Sequence, residues 1–360
     1  MIDSQTLHRL QAIGLTPQIQ HRLQTLPEHE EAPFLLRISA VHRDALAVHD
    51  GEHEHAARAL PALLQALDDA GDALAVGDWV LCCRNLWREW WVHARLPPLN
   101  QLARRLHDGR EKVTRAVIVA NVDTALLVMG LDLDFNLRRL ERYLALVRAA
   151  GIGAVVVLTK ADLCDDVPAR LASVRALLPP GVEAVAVNTL TDDLAGQLAP
   201  WLAPGQTLVL LGSSGAGKST LTNALLGAAT HDTGATRRGD ERGRHTTTSR
   251  SLHRTPGGAC IVDTPGVRTL RLDGDEGALD AIFDDIAELA LQCRFRDCQH
   301  GDEPGCAVRA GAVPERLRNY QKLLSEARRD TLSALDRQRQ LSQWKARGRA
   351  ARARIEAKRG

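Results

Sequence analysis

The chain lacks several things that would narrow its class. No stretch of it approaches the roughly 18 consecutive apolar residues that span a bilayer, and the opening MIDSQTLHRLQAIG has neither the basic start nor the apolar segment of a secretion signal. These absences predict a cytoplasmic protein without a membrane partner. An excess of charge is missing too. Forty-six Lys and Arg against 44 Asp and Glu leave a formal +2, so net charge argues for no nucleic-acid partner and only local clusters can serve phosphates. Seven cysteines in 360 residues are too few for a disulfide framework, and three of them crowd into 293–306 around a histidine, which points to metal in a reducing compartment. Aromatic residues are only 3% of the chain, so Trp79, Trp87, Trp90 and Trp91, all within thirteen positions, mark a separate unit.

What is present describes a soluble globular chain. With 44% hydrophobic and 25% charged residues over 360 positions, two or three cores are expected. Residues 1–33 read as an N-terminal extension, one polar helix followed by the acidic linker PEHEEAP. From 34 to 114 the alternations FLLRISAV, ALAVHD, AVGDWVLCC and LWREWWVHARL predict a five-stranded barrel of OB type. The stretch HAARALPALLQALDD at 55–69 reads as a helical insertion in that barrel, interrupted by Pro61.

Between 115 and 272 apolar strands alternate with helices, the pattern of a mostly parallel sheet covered on both faces. The segment 137–150 shows the logic: Leu137, Leu140, Leu144 and Val147 share one side, Asn136 can cap the start and Gly151 can end it. Residues 273–360 read as a helical domain around the cysteine cluster with a basic tail. The predicted fold is thus multidomain α/β.

Gly212-Ser213-Ser214-Gly215-Ala216-Gly217-Lys218-Ser219 matches G-x-x-x-x-G-K-[ST] between an apolar strand and an amphipathic helix that opens with Ser219 and Thr220. Glycines free the backbone to wrap phosphates at a helix start. Lys218 is expected to reach the β and γ phosphates, and Ser219 to ligate Mg²⁺. Some fifty residues on, Asp263-Thr264-Pro265-Gly266 closes the strand CIVD; its carboxylate suits Mg²⁺ through water, and the Gly266 amide suits the γ-phosphate.

Thr159-Lys160-Ala161-Asp162 closes another strand, AVVVL. A carboxylate there can accept from the ring N–H and the exocyclic amine of guanine, a pattern adenine does not offer, and the Lys160 stem can lie along the purine. As four residues alone this is a weak match, and a plain loop after a buried strand is the competing reading. Its place at the carboxyl end of a parallel strand favours a ligand. Asn188 and Thr189, in the loop after Val187, are further base-contact candidates.

Both base segments precede the phosphate loop, the reverse of the common GTPase order. In that order, with AVGDWV, NVDTALLV, FNLRRLERYL, TKADL, GSSGAGKST, GRHTTT, DTPGV and the cysteine cluster, the chain resembles the ribosome small-subunit-dependent GTPase A family across about Phe34 to Leu335. These are circularly permuted GTPases with an OB barrel and a zinc domain. The resemblance implies a switch in late small-subunit assembly, with GTP, GDP, the small ribosomal subunit and its rRNA as partners, in a chain expected to be monomeric. Three departures stand out: Thr159 where Asn is commoner, the helical 55–69 segment, and LPPLNQL in place of a more basic loop.

The segment 228–250 is rich in Gly, Arg and Thr and reads as a switch loop. One threonine of Thr246–Thr248, taken as Thr247, is expected to complete the Mg²⁺ shell; a Ser/Thr-rich surface loop is the bland alternative. Val267 stands where many GTPases carry a water-orienting glutamine. His245 is the nearest substitute, and the resemblance implies a catalytic role for it; Lys218 is the other catalytic candidate, and the lack of a glutamine and of an obvious internal arginine finger predicts weak intrinsic turnover.

Cys293-x4-Cys298-x-His300-x5-Cys306 supplies three thiolates and an imidazole, a set that suits one structural zinc better than an iron–sulfur cluster. Cys82, Cys83, Cys164 and Cys260 read as unrelated thiols. From Arg337 to Gly360, nine Lys or Arg face one acid, Glu356, with Trp344 among them; this is either a solvated helix or an RNA contact. Two rival functions remain open: a P-loop ATPase that remodels nucleic acid, in which TKAD is only a loop, and a GTP-binding scaffold without useful turnover.

Overall fold

The computed structural model describes residues 3–24, 33–42, 45–107, 113–227, 250–264 and 276–331. The chain divides into two compact units, one of residues 1–106 with 114–270 and one of 107–113 with 271–360. Thirteen strands are described: β1 (Phe34–Val41), β2 (Leu46–His49), β3 (Glu54–Ala59), β4 (Trp79–Arg84), β5 (Trp90–Arg95), β6 (Gln101–His107), β7 (Val113–Ala120), β8 (Thr124–Gly130), β9 (Gly153–Thr159), β10 (Glu183–Ala186), β11 (Thr207–Leu211), β12 (Ser251–Arg254) and β13 (Cys260–Asp263). Eleven of them form one sheet in the order β10-β9-β8-β11-β13-β12-β1-β2-β3-β5-β4, and β6 with β7 makes a separate ribbon.

The first five strands close on themselves. β1 pairs with both β2 and β4 antiparallel, and β3 runs parallel to β5, which completes an OB-type barrel. Alternate residues fill it, among them Leu36, Ile38, Val48, Val80, Trp90 and Val92. The helical insertion expected at 55–69 divides differently. Residues Glu54–Ala59 are strand β3, and helix α3 (Pro61–Asp69) starts with Pro61 in its first turn, where the missing N–H costs nothing. Leu63 and Leu67 of that helix pack against the barrel core.

The rest of the large sheet is parallel from β10 to β13, with β12 antiparallel at its edge. Val128, Val157, Leu208, Leu210 and Ile261 line one face, covered by Leu194 of α6 (Leu194–Gln197) and by Leu221 and Leu225 of α7 (Lys218–Leu226). Helix α4 (Leu137–Ala149) packs on β8 and β9 and buries Leu140, Leu144 and Val147. Asn136 caps it by accepting from the Arg139 amide at 3.0 Å, and Gly151 leaves it at φ +67°. Helix α5 (Val167–Arg175) packs on β10.

The N-terminal extension is two helices rather than one, α1 (Ser4–Gln11) and α2 (Pro17–Gln24). Gly14 at φ +94° and Pro17 separate them, and Leu10, Ile13 and Ile19 are buried. The reason is Arg37 of β1, 1% exposed. Its guanidinium donates to the carbonyl of Ile13, to that of Gly77 at 3.3 Å, to that of Asn121 at 3.0 Å and to the Thr207 hydroxyl at 2.9 Å. A β-carbon on Gly14 would lie 2.4 Å from that guanidinium, so only glycine admits the contact. One buried cation thus ties the extension, the barrel and the parallel sheet together.

The second unit contains α8 (Glu276–Asp280), α9 (Asp284–Ala290), α10 (Ala307–Gly311) and α11 (Pro314–Thr331). Arg316 binds both oxygens of Asp285 at 3.0 and 2.9 Å and covers the Phe283 ring, which meets Tyr320 edge-on. No described helix is long and apolar enough to cross a membrane. The basic run 337–360 lies outside the described residues.

Candidate functional site

The glycine-rich loop leaves β11, a strand buried along its whole length between β8 and β13. Gly212 is required there, since a β-carbon would stand 2.3 Å from the Val128 carbonyl oxygen. Gly215 and Gly217 take φ +85° and +88°, which turns the chain into α7 with Gly217 at its cap. Ala216 is buried in the sheet's core cluster. Lys218 donates to the carbonyls of Gly212 at 3.0 Å and Ser213 at 2.6 Å, so the ammonium sits across the mouth of the loop. Ser214 and Ser219 face solvent and Thr220 is half-buried.

Asp263 ends β13, next to β11, opposite Ser251 of β12. Thr264 turns inward and donates to the Leu210 carbonyl at 2.9 Å. Gly266, His245 and Thr247 lie outside the described residues.

Thr159-Lys160-Ala161-Asp162 leaves β9, one strand beyond β8 from the phosphate loop. Thr159 is fully buried, and its hydroxyl donates to the Ala216 carbonyl at 2.7 Å. It therefore props the phosphate loop rather than facing a base. Gly217 fits against it, since a β-carbon there would be 3.2 Å from the Thr159 hydroxyl oxygen. Lys160 adopts the left-handed region at φ +60°, and its ammonium meets Asp132 at 2.6 Å. The 3₁₀ turn Ala161–Leu163 follows and leaves Asp162 exposed. The Ala161 amide donates to the Val187 carbonyl at 3.3 Å, which brings the Asn188 loop alongside. Asn188 accepts from the Leu190 amide at 3.0 Å and its own amide donates to Asp192 at 2.7 Å.

Two residues escaped the sequence reading, Asp132 and Asp134, in the loop between β8 and α4. Asp134 accepts from the Ser213 hydroxyl and pairs with Arg139 at 2.5 Å. Burial pushes the Asp132 carboxyl up, and the hydrogen bonds from Lys160 and the Asp134 amide outweigh it, so it lies below its ordinary range. The available signal was a pair of carboxylates in GLDLD directly after a parallel strand, at the sheet edge where ligands bind.

In the second unit, the ligand atoms of Cys293, Cys298, His300 and Cys306 all lie within 4.8 Å of one another, a cluster that can hold one metal ion. Cys293 and Cys306 sulfurs are 3.9 Å apart, and His300 Nδ1 is 3.7 and 3.6 Å from them. A tetrahedral zinc with bonds of about 2.3 Å to sulfur requires edges of just under about 4 Å, so the set fits. His300 at φ +58° and Gly305 at φ +78° make the reversals. Gln321 donates to the His300 carbonyl at 2.8 Å, and Glu303 accepts the amides of Gln299 and Gly301 at 3.0 and 2.7 Å. Cys82, Cys83, Cys164 and Cys260 lie elsewhere and form no disulfide.

Known proteins resemble this chain. The sequence model of the RsgA GTPase family matches residues 97–273. A protein of Xanthomonas campestris pv. campestris named small ribosomal subunit biogenesis GTPase RsgA is 42% identical over 332 residues, 90% of each chain. A Xylella fastidiosa protein of the same name is 49% identical over 257 residues, 70% of this chain and 73% of its own. Among solved structures, YjeQ from Thermotoga maritima superposes with a TM-score of 0.60 at 25% identity, over 82% of this chain and 99% of that one. YloQ, a circularly permuted GTPase, shares the fold with a TM-score of 0.56 at 22% identity, over 86% of this chain and all of its own. A T-K-x-D segment that precedes the glycine-rich Gly212–Ser219 loop on one parallel sheet, an OB-type barrel before it and a Cys₃His cluster after it agree with that kinship, and the chain belongs to the RsgA GTPase family.

Proposed function

We propose that this GTPase acts on the small ribosomal subunit in the cytoplasm, as a nucleotide-driven switch late in the subunit's assembly. One observation carries the nucleotide reading: Thr159, which begins the base-reader segment, is bonded to Ala216 inside the phosphate loop, so the two segments form one site at the sheet edge. The subunit comes from the relative that matches 90% of the chain and is named for small-subunit biogenesis.

In this reading Asp162 accepts from guanine and Lys160 covers the purine, with Ala161 and Asn188 beside it. Residues 212–220 cradle the phosphates, and Lys218 exchanges its loop carbonyls for the β and γ phosphates. Ser219, exposed at the start of α7, and Asp263, at the end of the neighbouring strand, suit Mg²⁺, with Thr247 as a further ligand and the Gly266 amide toward the γ-phosphate. Bound Mg²⁺ supplies positive charge to the departing phosphoryl group. His245 handles the attacking water in place of the glutamine that Val267 displaces. Cys293, Cys298, His300 and Cys306 hold one structural zinc. Segments 1–33, 34–114, 115–272 and 273–360 act as extension, barrel, GTPase domain and zinc domain with basic tail, in a monomer.

The test is GTP turnover of the purified chain against subunit concentration at two salt levels. We expect stimulation by small subunits, little by large ones, and an apparent affinity that falls steeply with salt as phosphate contacts release counterions. Equal rates with small subunits, large subunits and buffer overturn the ribosomal reading and favour a scaffold. Equal affinity for ATP and GTP removes Asp162 from the base site.

A further inference from the structure

The loop 131–136 touches both halves of the site. From it Asp134 accepts the Ser213 hydroxyl of the phosphate loop, and Asp132 pairs with Lys160 of the base reader at 2.6 Å. The loop is itself well fixed. The Leu131 amide donates to the Thr159 carbonyl at 2.9 Å, the Asp134 amide to Asp132 at 3.0 Å, the Gly130 amide to Asp134 at 3.2 Å and the Phe135 amide to the Asp132 carbonyl at 3.1 Å. Arg139 of α4 neutralises Asp134 at 2.5 Å, which makes a carboxylate tolerable beside a site for phosphates. Leu133, between the two aspartates, is fully exposed.

Ser213 is held at two points, its hydroxyl by Asp134 and its carbonyl by Lys218 at 2.6 Å. When Lys218 turns to phosphate it leaves that carbonyl, and the Asp134 bond remains as the restraint on Ser213. We propose that Asp132 and Asp134 are positioning residues that jointly set the rate at which bound guanine nucleotide leaves, Asp134 by fixing the phosphate loop through Ser213 and Asp132 by fixing Lys160. The proposal rests on the nucleotide reading of the site given above.

The experiment uses the full chain and fluorescently labelled GDP, with dissociation followed after a chase of unlabelled GDP. Ser213→Ala and Asp134→Ala are each expected to speed GDP loss about tenfold, the effect of one lost charge-assisted hydrogen bond. Their double variant should be no faster than Asp134→Ala alone, because both remove the same bond. Asp132→Ala should speed loss by a similar factor, and Leu133→Ser should match wild type. Thermal unfolding checks each variant; if Asp134→Ala unfolds, Ser213→Ala and Asp132→Ala carry the test. Wild-type rates in Ser213→Ala and Asp132→Ala, or full multiplication of effects in the double variant, overturn the proposal. Failure of the wild-type chain to bind labelled GDP overturns the nucleotide reading instead.

Discussion

The phosphate loop and the cysteine cluster both present polar groups on tight, glycine-containing turns, yet they are held in place by different things. Beneath the loop lie Leu210 and Leu221, and the loop's own Ala216 joins their core, all at most 1% exposed; its departures from regular structure are braced by Thr159, Lys218 and Asp134. Around the cluster, Cys306 and Val308 are buried, whereas Cys293, Cys298 and His300 are only half-buried, and Leu291 and Phe295 face solvent. A turn laid over a large aliphatic core takes its stability from burial. One with less beneath it would depend on a ligand it closes around, and the binding energy of a metal held there would be folding energy.

Removing the metal should break the comparison most visibly. If the cluster holds structural zinc, chelation should forfeit an apparent binding energy of roughly 10–16 kcal/mol, and Cys298→Ser a large part of it. Hydrogen exchange should then rise across 285–320, while β8, β9 and β11 stay protected and GDP still binds. Protection of 293–306 that survives chelation would mean the cluster has a core of its own.

Within the first unit the comparison sharpens at Arg37. Arg37→Met removes the shared cation and the donor it gives to the carbonyls of Ile13 and Asn121, while the Gly77 carbonyl keeps the Asn121 side-chain amide at 3.0 Å. Loss of about 3–5 kcal/mol is expected, seen as a lower urea midpoint and a thermal midpoint reduced by roughly 10 °C. If the extension, the barrel and the parallel sheet were independently stable, the variant would instead lose protection only at α1 and α2.

The smallest effect concerns Asp78, fully buried, whose carboxyl is pushed up to about 7 by burial. Arg95 lies 3.8 Å away but bonds Asp72 at 2.6 Å, so it only partly offsets the desolvation. Because the folded state holds this proton to higher pH than the unfolded chain, the stability Asp78 contributes is fully present below about pH 4 and is lost as pH rises toward 7, by at most about 4 kcal/mol. Above pH 7 this contribution is flat. Urea titrations of wild type and Asp78→Asn over pH 4–8 test it, and the variant should lose the slope; an unchanged slope would assign the titration to other groups.

Local chemistry was readable from local spacing. Glycines at 212, 215 and 217 before Lys218 are forced by backbone geometry within one turn, and the Cys293-to-Cys306 spacing brings four possible ligand atoms within 4.8 Å of one another. The alternation of strand and helix declared the parallel sheet, and Asn136 and Gly151 marked the ends of α4 as read. The division of 55–69 into strand and helix was misread because HAARAL carries no strict period, and its place was decided by β2 and β5 on either side. The sequence by itself therefore determined which short segments carry chemistry and in what order they come. The tertiary structure decided what holds them: Thr159 reaches Ala216 across 57 positions, Ser213 reaches Asp134 across 79 and Arg37 reaches Thr207 across 170. No periodicity encodes such pairs, since each joins groups that only the packing of separate strands and loops brings within hydrogen-bond reach.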